Sequence, residues 1–127
     1  CVVVSPIVPM VKTDVGFEFI PIKENKPFSY QLVLKYMKNK SKLVSAFHVI
    51  SEKKLVNPTM VLDYDIFVCG DDKEAIEVVN GLINEIKGLR PIYLGPGELS
   101  YLAEISTPLL LNAMIRNKIK NPGIKII

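Results

Sequence analysis

Short apolar runs alternate with segments of helical spacing along this chain, which is the pattern of strands separated by helices. Apolar runs at residues 1–4, 43–47 and 66–70 predict three strands. Shorter runs at 91–94 and 124–127 predict two more. The order strand, helix, strand, strand, helix, strand, helix, strand predicts an α/β or α+β architecture.

Two helices are predicted from the spacing of apolar residues and from capping residues. Apolar side chains recur at helical intervals over residues 27–39, after a proline of the kind tolerated at a helix start. A second helix is predicted over 71–88, where Asp71 matches an N-cap and Glu74 stands at the capping-box distance. Gly88 then provides the left-handed residue that commonly ends a helix.

The segment 99–119 is helical in composition but apolar on nearly every side. This pattern predicts burial in a core or against a second subunit. Pro108 in the middle of the segment leaves two alternatives open. Either one helix kinks at this residue, or a new helix begins with Ser106 or Thr107 as its cap and Pro108 at its first position.

Two segments interrupt this order of elements. Residues 11–27 combine turn residues with an alternating Phe-Glu-Phe and two prolines. They predict a long excursion with a ragged hairpin, and excursions of this length often act as lids. Residues 51–64 show no clear period, so we interpret them as a loop that includes at most a helical turn.

The first predicted strand starts at once, with Cys1 followed by three valines and preceded by no methionine. Such a run is typical of a strand buried on both faces, and a strand of that kind needs neighbours on either side. We therefore expect the chain to be the later part of a longer protein whose earlier strands are outside this sequence.

The composition of the 127 residues excludes several classes of function. An apolar fraction of 49% is enough to bury a core. A net charge of +3 is too small to indicate nucleic-acid binding. The sequence contains no apolar run long enough for a membrane span. The two distant cysteines and the missing signal-peptide pattern favour reduced thiols and a cytoplasmic location.

Candidate chemistry centres on His48, the only histidine, which follows the predicted strand at 43–47. Ligands of α/β sheets gather beyond the carboxyl ends of strands, so His48 is either a hydrogen-bonded structural residue or a site residue. No glycine-rich nucleotide motif, P-loop or nucleophile elbow is present in the sequence. The aspartates beside the third strand fit turn and capping roles better than a metal site.

Six segments carry, in this order, a resemblance to one enzyme family: VVVSPIVPM, KLVSAFHVI, DIFVCGDDKEA, INEIKGLRPIYLGPGELS, ISTPLLLNAMIRN and GIKII. Together they resemble the later half of the NADPH-dependent reductases of the deazaflavin coenzyme F420. The resemblance runs from Val2 to Ile127, with residues 11–27 longer than is usual in the family. It implies an α/β fold in which residues 1–50 are the incomplete end of a Rossmann-type nucleotide-binding domain. Residues 51–127 would then form a small C-terminal α/β (α+β) domain for deazaflavin binding and dimerisation.

The same resemblance implies which residues contact the two cofactors. Those implied beside the deazaflavin ring are His48, Ile50, Ser106, Thr107, Leu111, Pro122 and Gly123. Those implied beside NADP are Val8, Pro9, Ser51 and Glu52, of which Ser51 and Glu52 depart from the small residues usual in the family. No metal ligand and no catalytic side chain is implied, because hydride would pass directly between the cofactors.

The resemblance therefore predicts an oxidoreductase that, when intact, transfers hydride between NADP(H) and coenzyme F420. The 127 residues alone are expected to be inactive. A homodimer that binds neither nucleic acid nor a membrane is also implied. Two alternatives stay open, namely a related NADP-dependent reductase with a flavin or ferric acceptor, and a non-catalytic binding or dimerisation module.

Overall fold

The computed structural model of the chain describes residues 1–50 and 62–127, which contain both strands and helices. The strands are β1 (Val3–Ser5), β2 (Met10–Thr13), β3 (Gly16–Phe19), β4 (Leu43–Ser45), β5 (Tyr64–Gly70) and β6 (Leu89–Gly95). The α-helices are α1 (Ile20–Glu24), α2 (Ser29–Tyr36), α3 (Lys73–Glu85) and α4 (Ser100–Asn117). Two short 3-10 helices, Lys40–Lys42 and Gly97–Leu99, precede β4 and α4.

Four of the strands form a mixed sheet in the order β1-β4-β5-β6. The pairs β1–β4 and β5–β6 are parallel, and β4 and β5 are antiparallel. The predicted α/β class is confirmed by this sheet and its helices. The sheet takes two strands from each side of the predicted boundary between residues 50 and 51, and the division into two domains there stays a prediction.

The core lies between this sheet and α3. Helix α3 buries Ala75, Val79 and Ile83, which are spaced four residues apart and therefore share one face. They pack in one cluster with Val44 of β4 and Ile66 of β5, and each of the five is at most 1% exposed. Full burial of an aliphatic side chain contributes roughly 1.5–3 kcal/mol, so this cluster holds the strands firmly in place.

The N-cap of α3 is Asp72, one residue later than predicted. An Asp72 carboxylate oxygen accepts a hydrogen bond from the Ala75 amide at 2.9 Å. Asp71 instead joins two other elements, since it accepts hydrogen bonds from the Gly97 amide at 3.0 Å and from the Tyr30 hydroxyl at 3.3 Å. Adjacent aspartates offer the same capping group, and only the path of the chain decides between them.

Helix α4 is continuous through Pro108, so the alternative of a second helix beginning there is wrong. The hydroxyls of Ser106 and Thr107 do not cap a new helix. They donate hydrogen bonds to the backbone carbonyls of Ala103 and His48. No helix in the described ranges, 1–50 and 62–127, is long and apolar enough to cross a membrane.

The predicted burial of α4 holds for only part of its surface. Ala103, Glu104 and Pro108 are buried against the rest of the fold. Leu102 and Leu109, by contrast, are 46% and 63% exposed. Burial of this second face against another subunit stays a prediction.

The excursion at residues 11–27 contains the predicted hairpin, formed by β2 and β3 and followed by α1. Asn112 of α4 holds the hairpin through both of its amide atoms. Its Nδ2 donates to the Phe17 carbonyl and its Oδ1 accepts from the Phe17 amide, each at 2.8 Å. The excursion is therefore packed on α4, and a lid role for it stays a prediction.

β1 lies at one edge of the sheet that the described residues form. The predicted strand is confirmed, and its last residue, Ser5, is buried. Val3 is 37% exposed, so within this part of the chain the strand is not covered on both faces.

Residues 124–127 do not form the predicted closing strand. The Asp65 amide donates to the Ile124 carbonyl at 2.7 Å, as in a strand pair. The next hydrogen bond of the segment is not a backbone pair of this kind. The Ile126 amide donates instead to the Asp65 side-chain carboxylate at 2.6 Å. A side chain thus takes the place of a backbone partner, and the ladder stops after one bond.

Candidate functional site

A cavity of about 360 Å³ lies between the turn after β4 and the second half of α4. Its volume is within the range of small-molecule sites. Five of the residues implied beside the deazaflavin ring line it, and these are His48, Ile50, Thr107, Leu111 and Pro122. They come from three separate parts of the chain, which the fold brings together.

The turn that carries His48 has an unusual backbone. Phe47, directly before His48, has a φ of 66°. A bulky residue in this left-handed region costs of order 1–2 kcal/mol, so the surrounding contacts must enforce it. The turn ends β4 abruptly and places the His48 side chain among the residues that line the cavity.

The His48 side chain is buried and has no hydrogen-bond partner among the described residues. It is 6% exposed, and neither ring nitrogen has a partner within residues 1–50 and 62–127. Burial lowers the pKa of His48 to about 4. The ring is therefore neutral near pH 7, with one nitrogen that can donate a hydrogen bond and one that can accept. The sequence left two roles open for His48. The described residues offer no hydrogen-bond partner to its ring, so they do not support the role of a hydrogen-bonded structural histidine.

Thr107 connects α4 to the turn that carries His48. Its hydroxyl donates a hydrogen bond to the backbone carbonyl of His48. This bond links residues 59 positions apart. The bond therefore joins the helix directly to the turn, and both residues line the cavity.

The walls of the cavity are apolar. Besides Ile50 and Leu111, the lining includes Val49, Leu110 and two methionines, Met10 and Met114. Methionine is flexible and adapts to the shape of a bound group. Thr107 and His48 provide hydrogen-bonding groups, and Lys120, which is exposed, adds a positive charge. Such a lining suits a largely apolar group with a few polar atoms.

Several predicted site residues do not line this cavity. Ser106 is buried and bonds within its own helix, and Gly123 lies against the ring of Tyr64. Val8 and Pro9 lie in the link between β1 and β2, directly before the lining residue Met10. Ser51 and Glu52 lie outside the described residues. The cofactor contacts assigned to all of these residues stay predictions.

Sequence reasoning missed five lining residues, which are Met10, Val49, Leu110, Met114 and Lys120. A signal was present for two of them. Helical spacing of three or four residues separates Thr107 from Leu110 and Leu111, and these from Met114. A helix through this segment therefore places the four side chains on one face. No local pattern indicated Met10, which reaches the cavity from the start of the hairpin.

Comparison with known proteins gives relatives over 86 residues, or 68% of the chain. The chain is 44% identical there to an F420-dependent NADP reductase of Methanocaldococcus jannaschii. It is 37% identical to the F420-dependent NADP reductase of Methanothermobacter thermautotrophicus and 35% identical to that of Methanothermobacter marburgensis. The matched segment spans only 37% to 39% of the length of these curated relatives. No protein-family model matches the chain.

The fold also matches a solved structure. A crystal structure from Arthrobacter sp. FB24, provisionally described as an F420-dependent NADP reductase, superposes with a TM-score of 0.80 and 19% sequence identity. The match covers 99% of this chain and 57% of that one. At this identity the likeness concerns the fold alone.

Proposed function

We propose that this chain, which is homologous to F420-dependent NADP reductases over 68% of its length, forms the deazaflavin side of such a reductase. The intact enzyme would transfer hydride between NADP(H) and coenzyme F420. The observation that carries the proposal is the cavity shared by His48, Thr107, Leu111 and Pro122, which are far apart in sequence.

The polarity of the lining supports a deazaflavin ring as the occupant of the cavity. A buried polar group without a partner costs about 1–3 kcal/mol, and both nitrogens of the His48 ring lack a partner among the described residues. A ligand edge with donor and acceptor atoms would offset this cost when it meets the imidazole. The apolar side chains of Ile50 and Leu111 would cover the faces of the ring and exclude water.

The residues of the cavity suit a reaction in which the cofactors carry the chemistry. When both are bound, hydride moves directly between nicotinamide and deazaflavin, with no catalytic side chain. The chain then has to orient the ring and keep water out, and correct placement alone can lower the barrier by several kcal/mol. Thr107 serves this orientation by fixing the turn that carries His48.

The proposal also assigns residues that contact NADP. Val8, Pro9, Ser51 and Glu52 are proposed to contact NADP, with residues 1–50 forming the end of a nucleotide-binding domain and residues 51–127 the deazaflavin-binding part. A glycine-rich motif for the pyrophosphate is not present in these 127 residues. We therefore expect the chain alone to show no NADPH oxidation, and the intact protein to show it.

The decisive experiment titrates the intact protein with coenzyme F420, adds NADPH, and follows the visible absorbance of the deazaflavin. We expect the absorbance to be lost as the coenzyme is reduced. His48→Ala should weaken coenzyme binding, whereas Tyr36→Ala, at a side chain 81% exposed, should not. Folded protein that binds the coenzyme without reducing it would instead be a binding module.

Acceptor identity is tested in the same assay. Flavin mononucleotide and a ferric chelate, each offered with NADPH, distinguish the related reductases from the proposed one. Turnover with either of these and none with coenzyme F420 would refute the proposed acceptor while leaving the reductase class intact.

A homodimer located in the cytoplasm is part of the same proposal. The dimer is supported by two exposed leucines of α4, Leu102 and Leu109, which are seven residues apart and are 46% and 63% exposed. Leu109→Lys should shift the mass measured by light scattering toward the monomer. A monomeric mass for the unaltered intact protein would contradict the dimer and leave the hydride-transfer proposal untouched.

A further inference from the structure

One wall of the cavity is formed by the chain after α4. Pro122 lines the cavity, and so does Lys120. Residues 121–126, here called the C-terminal segment, form no strand or helix of their own. Their position therefore depends on bonds to other parts of the chain, and several of these bonds come from β5 and β6.

Asp65 and Arg90 hold the far end of the C-terminal segment. They are direct partners in the parallel pair β5–β6, so their side chains emerge on the same face of the sheet. The Arg90 guanidinium donates two hydrogen bonds of 2.8 Å to the Asp65 carboxylate, which is fully buried. The same guanidinium keeps the pKa of Asp65 below its usual value, so the carboxylate stays ionised near pH 7.

The ion pair then binds both backbone groups of Ile126. The Ile126 amide donates to the Asp65 carboxylate at 2.6 Å, and Arg90 donates to the Ile126 carbonyl at 2.7 Å. One salt bridge thus replaces the two bonds that a neighbouring strand would make. Charge-assisted hydrogen bonds of this kind are about twice as strong as neutral ones.

Tyr64 holds the near end of the segment. Its hydroxyl donates to the Asn121 carbonyl at 3.2 Å, and its ring lies against Gly123. A Cβ at Gly123 would stand only 2.0 Å from the ring, so the contact requires glycine. Pro122 lies between these two anchors and is fixed by both.

We propose that Tyr64, Asp65 and Arg90 are positioning residues for the coenzyme cavity, which they do not line. By fixing the C-terminal segment at Asn121, Gly123 and Ile126 they hold Pro122 as a wall of the site. This inference rests on the proposed function, because it assigns the coenzyme to that cavity. The new element is that the affinity for the coenzyme depends on the ion pair between Asp65 and Arg90, which lies outside the site.

The test uses Arg90→Met in the intact protein and measures coenzyme affinity together with local hydrogen exchange. We expect faster exchange at the Ile126 amide and a dissociation constant for coenzyme F420 raised about tenfold, because the wall is no longer held in register. The rate at saturating coenzyme should change less than twofold, because the residues that touch the ring remain.

Lys125→Met is the matched control. It removes an ion pair between Lys125 and Asp63 at 2.6 Å, in which both side chains are well exposed. The control lies on the same segment but outside the clamp, so neither the Ile126 exchange nor the dissociation constant should change.

Arg90→Lys is a second variant, for use if Arg90→Met does not fold. It keeps a positive charge beside the buried Asp65 carboxylate, which favours folding. A lysine cannot reproduce the bidentate fork together with the bond to Ile126. We expect a smaller change in the same direction. Ending the chain after Gly123 removes the target of the clamp, and Arg90→Lys in that shortened protein should then have no further effect on affinity.

The outcomes separate the two proposals. Faster Ile126 exchange with an unchanged dissociation constant would overturn the positioning role and leave the proposed function standing. Additive effects of the shortened chain and Arg90→Lys would also overturn it. Unaltered intact protein that fails to bind coenzyme F420 would overturn the proposed function, and the inference with it.

Discussion

The Thr107 hydroxyl donates a hydrogen bond to the backbone carbonyl of His48. This contact joins α4 to the turn after β4, and the cavity lies where the two meet. The two residues are 59 positions apart, and the family resemblance indicates both of them for the site.

Thr107→Val is expected to destabilise the protein. Valine keeps the shape of threonine but removes the donor, and the partly buried His48 carbonyl loses its partner. The expected loss is about 2 kcal/mol in the free energy of unfolding. Denaturant unfolding measures it, with Thr107→Ser as the control that keeps the hydroxyl. An unchanged free energy of unfolding in Thr107→Val would contradict a stabilising role for this hydrogen bond.

The stability of the protein should fall in acid because of His48. The pKa of His48 is about 4 in the folded chain against 6.5 when unfolded. Between these values the unfolded state binds more protons, so stability decreases as the pH falls from 6.5 toward 4. The full loss is about 3 kcal/mol.

Unfolding curves of the unaltered protein and of His48→Met at several pH values isolate this contribution. Subtracting the variant removes the acid response of every other group. The free energy of unfolding of the unaltered protein, relative to that of His48→Met, should therefore fall as the pH falls from 6.5 toward 4. A constant difference from pH 6.5 to pH 4 would contradict the buried, neutral histidine.

Glu104 is expected to be a stabilising cap for α2. Its buried carboxylate accepts hydrogen bonds from the Ser29 and Tyr30 amides at 2.8 and 3.0 Å. Glu104→Leu leaves two buried donors unpaired and should cost about 3 kcal/mol. Glu104→Gln keeps an acceptor and should cost less. Thermal melting compares both with Glu77→Gln, an exposed position in α3, where no change is expected.

Two glycines in and after α3 should respond in opposite directions to alanine. Gly88 has a φ of 91°, and an added Cβ would stand 1.8 Å from the Leu62 carbonyl oxygen. Gly88→Ala should therefore destabilise strongly. Gly81, inside the helix, has no atom within 4 Å of an added Cβ. Gly81→Ala should raise the free energy of unfolding by up to about 1 kcal/mol. Losses at both positions in denaturant unfolding would contradict this assignment.

The elements that could be predicted are those with a strong local signal. The helix around Ala75, Val79 and Ile83 repeats its apolar residues over several turns, and the structure confirms it as α3. Predictions failed where local chemistry is degenerate. Asp71 and Asp72 are equally good caps, and the apolar residues 124–127 resemble a strand, although a carboxylate partner ends their ladder.

The site follows the same division. Resemblance to a family indicated His48, Thr107, Leu111 and Pro122, and the structure brings all four to one cavity. Met10 was not indicated, because its place in the lining depends on how the hairpin packs on α4. The ligand roles of all these residues await the binding experiments.

The sequence by itself determined helices α2, α3 and α4, most of the strands and the α/β class, because apolar periodicity and capping act between residues close along the chain. Only the tertiary structure decided that His48 lacks a partner in the described residues, that Glu104 caps a distant helix, and that Asp65 and Arg90 bind Ile126. The hydrogen bonds of Glu104, Asp65 and Arg90 named here join residues that are 36 to 75 positions apart. Such partners are selected by packing and desolvation across the whole fold, and no local pattern records them.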